Sequence, residues 1–170
     1  MAQAGSGRAN RRWGRWMFSG PPARGPFLRQ LPEALRGQLP AEWRDFTFRS
    51  RAHLAQFYYG NPAIHYEVWF HSRLDVLEVG LHFESDQHTN EHYFRGLDAR
   101  IVELKGELGL EVELERWDRG WCRIFEAHPL ASLDERFRDL VAARLAAFIV
   151  VLEPMCHDLV RPGLTALVKA

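Results

Sequence analysis

Two stretches of the chain alternate apolar and polar residues with period two. Ile64, Tyr66, Val68 and Phe70 interleave with His65, Glu67, Trp69 and His71. Leu77, Val79, Leu81 and Phe83 interleave with Glu78, Gly80, His82 and Glu84. That period marks half-buried strands. The Ser72-Arg73-Leu74-Asp75 connection sets a hairpin register that matches every apolar residue with another: Phe70 with Leu77, Val68 with Val79, Tyr66 with Leu81, Ile64 with Phe83. His65 then falls opposite His82, and Trp69 opposite Glu78. A slip of one residue would mix the two faces, so the pattern fixes the register.

A helical pattern follows, predicted over 86–108. Tyr93, Phe94, Leu97, Ile101, Leu104 and Leu108 form one stripe, Ser85 is the expected N-cap, and Gly109 is the stop. A second hairpin comes next. Leu110, Val112 and Leu114 share a face with Cys122 and Ile124; Glu111, Glu113, Glu115 and Trp117 share the other with Trp121, Arg123 and Phe125. Asp118-Arg119-Gly120 is the turn. Ser132-Leu133-Asp134-Glu135 reads as a capping box opening a last long helix, which Pro154 should end or kink. The tail from Leu159 to Ala170 is apolar enough to pack. Before the first hairpin the signals are weaker. Pro32 and Gly37 bracket one short helix, Pro40 opens another turn, and residues 50–59 read as a third helical piece.

These elements predict an α+β domain of two layers. An antiparallel four-stranded sheet, built as two ββα units, carries two long helices on one face, with a short helical N-terminal segment. Residues 1–30 read as a basic aromatic arm, flexible or docked, and 31–170 as a single α+β domain.

Charge sharpens this division. The 170 residues carry 22 basic and 22 acidic side chains, a formal net charge of zero. The first 30 hold six arginines (Arg8, Arg11, Arg12, Arg15, Arg24, Arg29) and no acid, so the rest of the chain carries −6. The arm also holds Trp13, Trp16, Phe18 and Phe27. The balance excludes a uniformly basic DNA-wrapping protein and an acidic disordered chain. Two cysteines, Cys122 and Cys156, exclude a disulfide scaffold and a cysteine-based zinc site. No apolar segment follows the arginines as a secretory signal requires, and the run from Leu145 to Leu152 is too short to span a bilayer. The expectation is a soluble, cytoplasmic protein with no membrane partner.

Three groups of residues carry candidate chemistry. His88-Thr89-Asn90-Glu91-His92 matches H-x-x-E-H, in which two histidines bind zinc from one helical face and the glutamate activates water. Over these five positions the chain resembles the pitrilysin-type metallopeptidases, a resemblance that implies His88 and His92 as metal ligands and Glu91 as the catalytic base. Helical geometry, however, turns both histidines away from the apolar stripe and toward water, where the plainer account is a polar first turn. The second group is the polar face of the first hairpin. His65 and His82 pair across the strands, with Glu67 and Glu84 diagonal to them, the arrangement of a metal chelate or an acid–base pair. Its plainer account is a solvated sheet face. The third group is aromatic: Trp69, Trp117, Trp121 and Phe125 all fall on that nominally polar face, which calls for something to cover it. The chain's own residues 1–58 are the expected cover, through arginine–carboxylate and cation–π contacts.

The reading that follows is a non-enzymatic binding or interaction domain needing no cofactor. Its surface would be Trp69, Trp117, Trp121, Phe125, His65, Glu67, His82 and Glu84, and its partner a protein or a small ligand. One alternative is a metal-dependent hydrolase holding zinc at His88 and His92, or at His65, His82 and Glu84. Another is a nucleic-acid accessory protein acting through the basic arm, where arginines interleaved with aromatics suit phosphate contact and base stacking. The acidic body opposes that last reading.

Overall fold

The computed structural model describes residues 24–160, apart from Ser72 and Ala131. It is α+β, with one six-stranded antiparallel sheet and four helices. The strands are β1 (Thr47–Ser50), β2 (Leu54–Tyr58), β3 (Ile64–His71), β4 (Val76–Phe83), β5 (Glu113–Arg116) and β6 (Cys122–Pro129), in the spatial order β1-β2-β3-β4-β6-β5. The helices are α1 (Arg24–Gln38), α2 (Gln87–Asp98), α3 (Ile101–Leu108) and α4 (Glu135–Val160).

The first hairpin has the register read from its alternation, with Ile64 opposite Phe83, His65 opposite His82, and Phe70 opposite Leu77. In the second hairpin Glu115 faces Arg123 as expected, and β6 pairs with β4, placing Arg123 beside His82. Two strands were not foreseen. Residues 50–59, expected to be helical, contribute β2, which pairs with β3 and carries β1 on its outer edge. The sheet therefore has six strands rather than four.

The helices also depart from expectation. The stripe over 86–108 is divided at Ala99–Arg100 into α2 and α3, and the cap is Asp86, which accepts from the Thr89 amide at 3.0 Å, rather than Ser85. Asp134 caps α4 by accepting from the Phe137 amide at 2.9 Å. Pro154 does not end α4, which runs through it to Val160. Packing of Leu152, Met155 and Cys156 in the core holds the helix across the hydrogen bond that proline removes. By length and composition α4 is apolar enough to cross a membrane; here it is the central core helix, with Phe148, Ile149 and Leu152 fully buried. Likewise α1 runs through Pro32 instead of starting there.

The helical layer covers the sheet face bearing Tyr66, Val68, Phe70, Leu77, Val79, Leu81 and Phe83, which are almost completely buried, with α3 packed on α2 and α4. Phe27 of α1 meets Phe70 at 5.7 Å and Phe137 of α4 at 5.8 Å, while Tyr93 of α2 stacks on Phe83 at 4.8 Å. Arm residues 24–30 thus form the start of α1, with Phe27 and Leu28 in the core. This corrects the expected cover. Residues 24–58 do not lie over the polar sheet face: α1 packs on the opposite face, and β1 and β2 extend the sheet sideways. The remainder of the arm, residues 1–23, and the tail from 161 lie outside the described residues.

Candidate functional site

Strand alternation brings Gln56 of β2, His65, Glu67, Trp69 and His71 of β3, Glu78 and His82 of β4, and Arg123 and Phe125 of β6 onto the face away from the helices. A solvated sheet face was the plain expectation. Instead His65 is 0% exposed, His82 1%, Glu78 2% and Glu67 5%. Buried ionisable groups are costly unless paired, so their partners define the site.

Glu78 is the hub. Both its oxygens accept from the Arg123 guanidinium, at 2.6 and 2.8 Å, and it also meets Nε2 of His71 at 2.9 Å and Nε2 of His82 at 3.2 Å. Burial alone would raise its pKa, but His82, Arg123 and His71 outweigh that and hold the carboxyl below its usual range. Arg123 also donates to Glu115 at 2.7 Å, and its guanidinium lies between the rings of Trp117, at 4.3 Å, and Phe125, at 4.1 Å. Gly80 makes room for this layer: a Cβ there would stand 2.6 Å from the Phe125 Cβ and 2.5 Å from the Ile124 carbonyl oxygen.

The two histidines stack with ring centroids 5.7 Å apart. Nδ1 of His65 lies 2.9 Å from the Pro62 carbonyl oxygen. A carbonyl only accepts, so Nδ1 carries the proton and Nε2 offers its lone pair. That lone pair receives Nε2 of Gln56 at 2.8 Å, and the same amide donates to Glu67 at 2.6 Å. The amide is oriented by Arg49, whose Nε donates to its oxygen. Burial raises Glu67, but His65, His82 and Gln56 hold it below its usual range. Burial opposes charge on His82, yet the carboxylates of Glu78, Glu84 and Glu67 overcome it and push its pKa up to about 9. Nδ1 of His82 stands 3.9 Å from Glu84 and has no hydrogen-bond partner, although it is buried.

Beside this network opens a cleft of about 300 Å³. Trp69 and Trp117, stacked at 5.7 Å, both line it. Arg49, Arg51 and His53 supply donors, and Glu67 and Glu84 supply carboxylates. A neighbouring cleft of about 440 Å³ shares His53 and Trp69 and extends to His71 and Arg73.

The site expected from the sequence is therefore only partly assembled. His65, Glu67, His82, Glu84, Trp69 and Trp117 come together, with Phe125 behind Arg123. Trp121 is separate. It sits 5.4 Å from the Arg119 guanidinium and lines a small pocket with Gln87, Asn90 and Glu91 of α2. Arg49, Arg51, His53 and Gln56 were missed, because the segment was read as helix. Glu78 and Arg123 were placed on the correct face without being recognised as its hub. The available signal was the spacing of Glu78 and His82, four residues apart on the same face of one strand.

His88, Glu91 and His92 line a surface hollow of about 230 Å³ with Arg95. Glu91 accepts from Arg95 at 2.7 Å and from Arg116 at 3.0 and 3.1 Å, and these two arginines pull its pKa down to about 2. A carboxylate so held is a poor base near neutral pH. Nε2 of His92 is engaged with the Leu159 carbonyl oxygen at 2.8 Å. Among the described residues, the His/Cys/Asp/Glu group whose donor atoms converge is His65, Glu67 and His82, all within 4.8 Å of one another. Both cysteines are free and buried; burial pushes the Cys122 thiol up to about 12 and raises Cys156 as well, so neither supplies a ready thiolate.

Comparison of this chain with protein-family models, with curated proteins and with solved structures finds no match.

Proposed function

We propose that the protein is a binding domain that takes a small, planar, anionic ligand in the cleft lined by Trp69 and Trp117. The observation that carries this reading is the stacked tryptophan pair beside Arg49, Arg51 and His53, on a sheet face that carries a buried ionic network. Indole faces receive a planar group, and guanidinium groups receive a carboxylate or phosphate through directed hydrogen bonds. Fixing Trp117 against Arg123 and Trp69 lowers the ordering cost on binding. A protein partner is less well served, since the described opening is concave and of small-molecule size.

The test is a panel of aromatic carboxylates and nucleoside monophosphates, read by thermal shift and intrinsic tryptophan emission with a chelator present. A saturable rise in Tm with quenched emission is expected, lost in Trp117→Ala and weakened at least tenfold in Arg51→Ala. The reading fails when no panel member shifts either signal, or when Trp117→Ala keeps full affinity. Binding confined to oligonucleotides, abolished by deleting residues 1–23 and by moderate salt, would instead favour the basic arm as the working part.

A further inference from the structure

We infer that His65, Glu67 and His82 form a binding site for one transition-metal ion of the zinc class, on the floor of the sheet face. The inference stands apart from the organic ligand above, because its donors are identified by their own hydrogen bonding.

On each histidine a fixed oxygen acceptor holds one ring nitrogen: the Pro62 carbonyl holds Nδ1 of His65, and Glu78 holds Nε2 of His82. On His65, Nδ1 donates to the Pro62 carbonyl, which leaves the Nε2 lone pair directed at Gln56 and Glu67. On His82, Nε2 is taken by Glu78, and Nδ1 is buried 3.9 Å from Glu84 with no hydrogen-bond partner, so metal uptake there releases the Nδ1 proton. A backbone carbonyl behind one imidazole and a carboxylate behind the other are the supports that orient metal-binding histidines and raise their basicity. Glu78 is itself fixed by Arg123, so the support behind His82 does not depend on a mobile side chain.

The distances agree with this chemistry. Nε2 of His65 lies 3.5 Å from the nearer Glu67 oxygen. Two donors on one tetrahedral zinc, each about 2.1 Å from it, stand about 3.4 Å apart. The full triad spreads within 4.8 Å, so small side-chain shifts close it. The Gln56 amide nitrogen now occupies the electropositive position, 2.8 Å from His65 and 2.6 Å from Glu67, donating to the two lone pairs a cation would take. Gln56 also lines the cleft, so its side chain has space to swing aside. Two imidazoles and one carboxylate select zinc and its neighbours over magnesium and calcium, which prefer oxygen donors throughout. Three protein donors leave a coordination position for a water or a ligand atom, and Glu67, which lines the cleft, gives the ion access from that side.

The experiment strips the full-length protein with chelator, then titrates zinc alone, with stoichiometry read by elemental analysis after desalting and coordination read by the visible bands of cobalt substitution. One equivalent, a zinc-dependent rise in Tm, and tetrahedral cobalt bands are expected. His82→Ala and Glu67→Gln should each weaken zinc binding at least tenfold, with folding checked by circular dichroism. Gln56→Ala is the sharper variant. It removes the competing donor, so zinc should bind severalfold more tightly, an effect that a purely structural role for the triad does not give. The inference is overturned when stripped protein takes up less than half an equivalent with no change in Tm. It is also overturned when binding survives Glu67→Gln and Gln56→Ala unchanged, or is lost on replacing His88 and His92 instead.

Discussion

Replacing Glu78 by glutamine removes one charge and almost no volume from the centre of the buried network. Arg123 keeps a mostly buried environment against Trp117 and Phe125 but loses the carboxylate that accepts from it with both oxygens, while His71 and His82 lose an anion. Breaking a buried pair by neutralising one member costs about 3–5 kcal/mol. The remaining salt bridge, Arg123 to Glu115, cannot compensate: the Glu115 side chain is 40% exposed, and such pairs are worth about 1 kcal/mol at most. The glutamine oxygen still accepts one hydrogen bond, which puts the expected loss near the lower end, at about 3 kcal/mol. For a chain of this size that is a fall in Tm of about 10 °C. The second half of the prediction is a rescue. Arg123→Met keeps an unbranched side chain between the two rings and removes the stranded charge. The double variant Glu78→Gln with Arg123→Met should therefore recover at least about 1 kcal/mol of the loss, because the uncompensated buried charge is gone. Urea denaturation of the parent, both single variants and the double variant closes the cycle, and the coupling should exceed about 1 kcal/mol. A Glu78→Gln cost below about 0.5 kcal/mol, or a double variant equal to the sum of the singles, refutes the claim that this pair is coupled and desolvated.

Three further outcomes are expected. In chelator-treated protein, His82 faces Glu78, Glu84 and Glu67, with His65, Trp117 and Arg123 beside it, and its folded pKa lies near 9, above the ordinary value of 6.5. A raised histidine contributes stability fully below about pH 6.5 and loses it as pH rises through about 9, so urea midpoints should fall across that window, and a flat profile, or one no steeper than that of His82→Gln, contradicts the assignment. Gly80→Ala should destabilise by at least about 1–3 kcal/mol, because its Cβ meets backbone at 2.5 Å, whereas Gly96→Ala, whose Cβ meets only the flexible end of Leu159, should cost less; equal melting temperatures would count against the close approach at Gly80. Deleting residues 1–30 removes Phe27 and Leu28 from the core and should cost at least the ~3–5 kcal/mol of a single buried phenylalanine, far more than deleting 1–23; similar melts for the two truncations would contradict the packing of α1.

What could be read from the chain depended on how cleanly each strand separates its two faces. The β3–β4 hairpin was legible to the residue because large apolar side chains alternate with ionisable ones over eight positions in each strand. β2 was illegible for the opposite reason. Ala55, Gln56 and Phe57 are all buried, so no alternation survives, and its five residues are too few to outweigh neighbours with little strand preference. That miss propagated to the site, since Gln56 enters through β2 and the arginines at 49 and 51 through β1 and the turn after it. The division between α2 and α3 was hidden by a stripe that continues across Ala99–Arg100: Leu97 and Leu104 are both fully buried on either side of the break. Polar residues on the outer face were named correctly, but their burial was not, because it depends on tryptophans from β3 and the β5–β6 turn meeting across the sheet.

The composition of this face bears on what it can do. Buried ion pairs are a weak source of stability, and apolar residues of similar volume would hold the sheet as well or better. The face nevertheless places Glu78, Glu67, His65, His82 and Arg123 under cover, with every carboxylate paired and one histidine nitrogen left without a partner. A network built for stability alone would satisfy that nitrogen too, since an unpaired buried polar atom costs about 1–3 kcal/mol. The metal site we propose would use that nitrogen once its proton is released, with the cost of holding the donors met during folding rather than on binding. The tryptophan-lined cleft adjoins those donors through Glu67. A ligand carboxylate or phosphate seated in the cleft against Trp69 and Trp117 would thus approach the ion's free position, and the two proposed binding events should reinforce each other: zinc should tighten binding of a planar anion in the parent protein and leave it unchanged in Glu67→Gln, as measured by titration with and without chelator.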